Sequence, residues 1–305
     1  MKASRSNDVR HPQGLFVGLA TVDISYTVDD IPRLNQKISV QAQLITAGGP
    51  ATNAAATFAF LGGRSTLVSA VGSHALAKIV REDLARSSIR LHDMAGGRGE
   101  ALPVSTVMVH RASSDRTVVS ANAAVFSPVN ARFDSKWLRG VEIVEVDGQY
   151  MPLCIAAARA AHERGIPVVL DSGSWKPGMA KLLPFLDSAI CSGDFRPPGC
   201  RSENDVFEFL AGRGIPRVAI TRGDSSIRFV DSGESGEIRV RKVRPIDTLG
   251  AGDIFHGAYC YYACQAGASF REALRAASEV ASFSIRYAGT RSWMSRFRQN
   301  KSEKG

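Results

Sequence analysis

Between residues 15 and 220 the chain alternates short, almost wholly apolar runs with longer stretches of helical period, and this alternation restricts its fold more than any other feature. The runs lie at 15–19, 66–71, 143–146, 167–170, 189–191 and 217–220, with helices predicted over 75–86, 152–164 and 203–212. Strands that are apolar on both sides are buried on both faces, and parallel neighbours need a crossover helix. The expected fold is therefore α/β, a three-layer α/β/α core around a parallel sheet. Ligand-binding groups of such sheets gather at the C-terminal strand ends, where Asp23, Asp147, Asp171, Ser192 and Thr221 fall. Segments 24–28, 38–44, 104–109 and 116–120 instead alternate apolar with polar residues, as half-exposed strands do.

With 305 residues the chain can bury one large core with an appendage. Its five cysteines are odd in number and lack a Cys-x-x-Cys pair, which fits reduced thiols rather than a disulfide framework or a zinc site. The net charge of +9 comes from scattered Lys and Arg. Two concentrations stand out: 239–244, which alternates as an edge strand would, and 291–304, which reads as a solvated tail. No nucleic-acid recognition motif accompanies the charge, so no nucleic-acid partner is expected; a small polyanionic substrate also favours a positive cleft. No apolar run approaches the ~18 residues of a membrane span, and the first residues lack the apolar middle of a signal peptide, so a cytoplasmic chain without a membrane partner is expected.

The strongest chemical signal is Asp247-Thr248-Leu249-Gly250-Ala251-Gly252-Asp253, which runs into a helical period with apolar residues at 254, 255, 258, 259 and 262. Glycines at a loop-to-helix junction let an anion approach bare N–H groups at the positive end of the helix dipole. Asp253 beside that anion hole either caps the helix or takes a proton from a hydroxyl attacking phosphorus. The residues alone leave both readings open.

The heptad resembles the signature of the ribokinase-like sugar kinases, the PfkB family, whose Asp-Thr-x-Gly-Ala-Gly-Asp is matched at every fixed position. Upstream, Ala47-Gly48-Gly49-Pro50-Ala51-Thr52-Asn53-Ala54-Ala55 resembles the family's double-glycine sugar segment. The resemblance spans roughly 15–289. It implies a ribokinase-like core (12–23, 47–102 and 121–292), a small β-sheet lid (24–46 and 103–120) that also carries a homodimer contact, and flexible tails at 1–11 and 293–305. It implies transfer of the γ-phosphoryl of ATP, with Mg2+, to a sugar hydroxymethyl group. Asp253 would be the base, and the Gly250, Ala251 and Gly252 amides would hold the migrating group. Asp23, Gly48, Gly49 and Asn53 would hold the sugar, with Arg116 reaching in from the lid and Gln149 at the sugar's far end. Thr221, Gly223 and Asp224 match the nucleotide loop, while Ala281 and Ser284 lie on an adenine-side helix that opens with the capping box Ser269–Glu272 and runs to about Tyr287. Asp247 and Thr248 match positions tied in relatives to a monovalent cation such as K+.

Three departures qualify this picture. Pro50-Ala51 replaces polar residues common after the double glycine, which argues against simple ribose recognition. The family's Asn-x-x-Glu is missing near Cys191-Ser192-Gly193-Asp194, leaving Asp194 as the carboxylate for the magnesium water shell. Asp147-Gly148-Gln149-Tyr150 together with Asp253-Ile254-Phe255-His256-Gly257 resembles the sulfofructose kinase and ketohexokinase-like branch, yet Gln149 stands where sulfosugar enzymes place an Arg, so a sulfonate would lose its fork-shaped partner. A nucleoside kinase and a non-catalytic binding protein on the same scaffold are the rival readings.

Overall fold

The structure, a computed structural model, describes residues 11–40, 42–128 and 132–302. In chain order it comprises β1 (Gln13–Val17), β2 (Thr21–Val28), β3 (Gln43–Gly48), α1 (Pro50–Phe60), β4 (Arg64–Ser69), α2 (Ala77–Arg86) and β5 (Arg90–Asp93). Then follow β6 (Val104–His110), β7 (Arg116–Ser120), α3 (Asn122–Val125), β8 (Ile143–Val146), α4 (Met151–His162), β9 (Val168–Ser172) and β10 (Ser188–Ser192). The last third holds α5 (Glu203–Ala211), β11 (Arg217–Arg222), β12 (Ser225–Asp231), β13 (Glu234–Ile238), α6 (Ala251–Ala263), α7 (Phe270–Ser284) and α8 (Trp293–Ser302).

The main sheet has the order β13-β12-β11-β10-β9-β8-β1-β4-β5. It is parallel from β5 to β11, and a tight hairpin then turns the chain back into antiparallel β12 and β13. Its central strands are the continuous apolar runs of the sequence, and their side chains are buried. On one face α1 brings Phe58 edge-on to Phe16 of β1, with ring centroids 5.3 Å apart. Helix α6 crosses α1 closely because position 257 is Gly: a Cβ there would lie 2.2 Å from the Ala54 carbonyl oxygen. The capping box that opens α7 forms as read, with Ser269 Oγ accepting from Glu272 N at 3.2 Å and Glu272 Oε2 accepting from Ser269 N at 2.9 Å. The helix ends at Ser284, short of the predicted Tyr287.

A second sheet, ordered β3-β2-β6-β7, stands off the first. β2 is continuous from Thr21 to Val28, so it crosses the expected boundary between 23 and 24 and carries Asp23 into the small sheet. The strand expected at 38–44 begins only at Gln43, because β2 offers partners no further than Tyr26↔Gln43. Gln41 in that stretch lies outside the described residues.

Two basic segments differ from expectation. Residues 239–244 form no strand: β13 pairs with β12 only up to Ile227↔Ile238, and the side chains beyond have no ladder to join. Residues 293–302 are the helix α8, not a tail. Trp293 is fully buried and meets Phe60 at 5.0 Å, while Phe297 packs on Phe283 at 5.1 Å. Of the expected tails, residues 1–10 and 303–305 lie outside the described residues. His11, which is described, bonds through Nδ1 to the Gly62 carbonyl oxygen at 2.7 Å.

Candidate active site

The loop from Asp247 to Gly250 delivers the chain into α6. Gly250 has φ +68°, and a Cβ there would lie 2.7 Å from Thr290 Cγ2, so both conformation and space require glycine. A Cβ on Gly252, by contrast, would meet nothing within 4 Å, so the helix end is open on that side. Ala251 N–H donates to the Thr248 carbonyl at a long 3.3 Å. Among the described residues, the amides of Gly250, Gly252 and Asp253 have no backbone acceptor, as first-turn amides generally do not. Of the three amides expected from the sequence to hold the migrating group, those of Gly250 and Gly252 are without a backbone acceptor, as is that of Asp253, while that of Ala251 has the Thr248 carbonyl.

Asp253 is half-buried and does not cap its own helix, whose N-cap Gly250 has no side-chain bond. Its Oδ2 accepts from Asn53 Nδ2 at 2.7 Å, which joins the first turns of α1 and α6. Asn53 Oδ1 accepts in turn from Arg291 Nη1 at 2.8 Å, and Arg291 is paired with Asp83 of α2 through Nη2 at 3.0 Å and Nε at 3.2 Å. Asp253 thus ends a chain of four side chains drawn from α6, α1, the segment before α8, and α2. Arg291 and Asp83 were not legible as site residues, since Arg291 opens what reads as a solvated basic stretch.

Asp23 lies 6% exposed beside this chain. The double glycine makes room for it: a Cβ on Gly48 would sit 2.0 Å from Asp23 Oδ2, and one on Gly49 would sit 2.3 Å from the Leu19 carbonyl oxygen. Burial raises the Asp23 carboxyl above its usual range; bonds from Thr21 and Ser105 oppose the rise, and the charge of Asp253 adds to it. Asp147, fully buried, ties three pieces together by accepting from Leu19 N at 2.8 Å, Gln149 N at 2.9 Å and Ala51 N at 3.3 Å. Its carboxyl is raised by burial and lowered again by those amides. Gln149 is half-buried on the turn after β8, and at the start of that turn Lys176 Nζ donates to the Asp147 carbonyl at 3.3 Å.

Thr221 ends the parallel part of the sheet, with Oγ1 donating to the Cys191 carbonyl at 3.4 Å. Gly223, at φ +63°, and Asp224 form the hairpin turn between β11 and β12. Ala281 is half-buried on α7, whereas Ser284 is buried with its hydroxyl on the Ala281 carbonyl at 2.8 Å, so Ser284 is turned inward. Asp194 is exposed after β10. Asp247 anchors the anion loop, accepting from Leu249 N and Gly289 N, each at 2.8 Å. Thr248 Oγ1 accepts a short bond from Arg116 of β7, and Ser114 Oγ donates to the Pro245 carbonyl at 2.9 Å. The small sheet therefore touches the loop that feeds the helix end.

A profile of the pfkB family of carbohydrate kinases matches residues 13–296. The chain belongs to that family. It is accordingly a phosphotransferase acting on an alcohol group of a sugar. A ribokinase from Arabidopsis thaliana is 24% identical over 297 residues, covering 92% of this chain and 78% of the plant protein. The structure of Arabidopsis thaliana ribokinase complexed with ribose and ATP superposes with a TM-score of 0.72 at 23% identity, over 92% of this chain and 94% of that one. Adenosine kinase from Sinorhizobium meliloti superposes with a TM-score of 0.75 at 17% identity, over 95% and 99% of the two chains. The last two likenesses speak to the ribokinase-like fold. Within the family, the sulfofructose kinase and ketohexokinase-like branch read from the sequence is not the one these relatives are named for. Among the described residues no helix is long and apolar enough to cross a membrane, and no group of three His, Cys, Asp or Glu side chains could hold a metal ion.

Proposed function

We propose that the protein transfers the γ-phosphoryl of ATP to a hydroxymethyl group of a neutral sugar, with Asp253 as the general base. The observation that carries this reading is the Asp253 carboxylate at the open end of α6, held by Asn53 at 2.7 Å beside amides that have no other acceptor. Asn53 occupies Oδ2, which leaves Oδ1 to take the acceptor's proton. The amides of Gly250, Gly252 and Asp253 meet charge on the migrating group, a preorganised effect worth ~3 kcal/mol per donor. Asp23, Gly48, Gly49 and Gln149 frame the acceptor. Carboxylates accept hydroxyl hydrogens and repel anions, so an uncharged polyol fits beside Asp23 and Asp253 better than a phosphorylated sugar does.

ATP is placed along Thr221, Gly223 and Asp224 towards α7. Magnesium enters as part of the MgATP substrate, since among the described residues no cluster of His, Cys, Asp or Glu could hold it unaided. Exposed Asp194 fits a water-shell contact rather than direct ligation. Asp247 and Thr248 are the pair that would hold a monovalent cation such as K+, since each Asp247 oxygen holds one loop amide and keeps a further lone pair. The small sheet acts as the lid, latched by Arg116 on Thr248 and Ser114 on Pro245. A second copy of the chain covers the outer sheet face, where Ile45 and Val119, which share a face through Ile24 and Thr106, are 46% and 66% exposed.

ADP release measured with a panel of ketoses, pentoses, nucleosides and sulfosugars tests the activity. A ketose or pentose should be turned over, and Asp253→Asn should lose turnover while still binding ATP. Preference for a nucleoside would replace the sugar reading, and no turnover on any acceptor would support a binding protein.

A further inference from the structure

Behind the first turn of α6 lies a buried charge cluster that the transfer step above does not use. His256 is 4% exposed, and oxygens bracket its ring. Nδ1 lies 2.7 Å from the Gly252 carbonyl oxygen and 3.3 Å from Asp171 Oδ2; Nε2 lies 3.1 Å from the Ile190 carbonyl oxygen. A carbonyl oxygen accepts and cannot donate. Each ring nitrogen must therefore carry a hydrogen for both carbonyl contacts to be bonds, and an imidazole with two N–H groups is a cation.

A buried cation needs a counter-charge, and the groups facing this one supply a single ready anion. Glu145 of β8 is fully buried with no partner for either carboxyl oxygen, and burial, reinforced by Asp171, Asp147 and Asp253, pushes its carboxyl well up, so it stays neutral. Burial likewise keeps the Cys191 thiol of β10 and the Cys260 thiol of α6 protonated. Asp147 is committed to three amides, and Lys176 lies on the side of the cluster next to Asp147. Asp253 is held by Asn53. Asp171 remains: burial, opposed by His256 and more weakly by Lys176 and reinforced by Asp253 and Asp147, leaves its carboxyl raised to about 6, and its Oδ2 has no other hydrogen-bond partner.

The Gly252 carbonyl and the Asp253 N–H are the two ends of one planar peptide unit. Whatever grips the carbonyl sets the direction of the amide, and a cation on the oxygen polarises the unit so that the N–H donates more strongly. We propose that His256, doubly protonated and balanced by Asp171, is the positioning residue of the anion-binding turn, fixing and polarising the Gly252–Asp253 peptide for the migrating phosphoryl group. This rests on the phosphotransfer reading above.

Two measurements test it. In enzyme carrying 15N-labelled histidine, the His256 ring, assigned by the signal missing from His256→Asn, should show both nitrogens protonated at neutral pH, and Asp171→Asn should remove one of the two protons. A bare nitrogen in the wild-type ring overturns the proposal, whether or not the enzyme turns over any sugar. In the kinetic arm, His256→Asn keeps a neutral donor near Gly252 without the charge. Its kcat should fall about tenfold, less than the 10²–10³ cost of deleting an oxyanion donor, with KM for ATP and sugar nearly unchanged. Asp171→Asn should reproduce that fall. An unchanged kcat in both variants, or a loss confined to KM, overturns it. A wild-type enzyme inactive on every acceptor would instead count against the phosphotransfer reading and leave the ring measurement standing.

Discussion

Replacing Arg291 with Met should damage stability and turnover by separable routes. The guanidinium makes two bonds to Asp83 Oδ2, at 3.0 and 3.2 Å, and one to Asn53 Oδ1 at 2.8 Å. Its side chain is 16% exposed and that of Asp83 is 11% exposed, so the pair is largely shielded from water. Methionine fills similar space but leaves Asp83 as a shielded, unpaired carboxylate, a change that costs roughly 3 kcal/mol. In urea the unfolding midpoint should fall by about 1 M or more, given slopes of a few kcal/mol per molar. Turnover suffers separately, because Asn53 loses the bond that orients its amide towards Asp253. A hydrogen bond from a charged donor is worth about 1.5 kcal/mol, or about tenfold in kcat. The double variant Asp83→Asn/Arg291→Met removes the stranded charge and should regain most of the urea midpoint while kcat stays low. Should the double variant recover kcat together with stability, Arg291 would act on turnover only through folding, and the four-residue chain to the base would not be a functional connection. A single variant that unfolds at the wild-type urea concentration would refute the burial argument itself.

Three further outcomes follow from the geometry. Gly48→Ala places a methyl 2.0 Å from Asp23 Oδ2 and should raise the sugar KM at least tenfold with little change in the KM for ATP, read by steady-state kinetics on the preferred acceptor. Glu145 is an acid whose folded-state pKa is raised above its ordinary 4.5, so its ionisation favours the unfolded chain and its contribution to stability falls as pH rises from there; Glu145→Gln should match wild type in urea near that pH and become progressively more stable than it at higher pH. Arg116→Ala unlatches the small sheet from Thr248 and should raise KM more than it lowers kcat, and an unchanged KM would show that the contact does not hold the lid.

The parallel core was legible because its strands are buried on both faces and so spell themselves as unbroken apolar runs, and the anion loop was legible because glycine is obligatory at Gly250. The edges were not. β12 and β13 are short, half-exposed and polar on one face, so nothing in Ser225–Asp231 or Glu234–Ile238 distinguishes them from a loop until the hairpin closes at Arg222↔Ser225. Segments 38–44 and 239–244 show the converse: alternation permits a strand, but a ladder also needs a partner edge of matching length, which local sequence does not contain. Asp147 was visible as a strand-end acid, yet not as the knot joining Leu19, Ala51 and Gln149, because those amides converge only after the crossover.

The basic C-terminal stretch carries the more general point. Read as charge, residues 291–304 are a solvated tail; read as periodicity, Trp293, Met294 and Phe297 sit at helical spacing and mark a face that has to be covered. That face is covered by Phe60 at the end of α1 and Phe283 near the end of α7, with the Arg298 guanidinium 4.9 Å above the Phe60 ring. Docking α8 there fixes the turn before it, and with it Arg291, which links Asp83 to Asn53 in the chain that ends at Asp253. The aromatic seam under α8 is therefore connected, through Arg291 and Asn53, to the orientation of the Asp253 carboxyl. The sequence signal for this linkage is the aromatic spacing rather than the charge, because a run of arginines is compatible with either a tail or a helix, whereas three apolar side chains on one face are stable only when something packs against them.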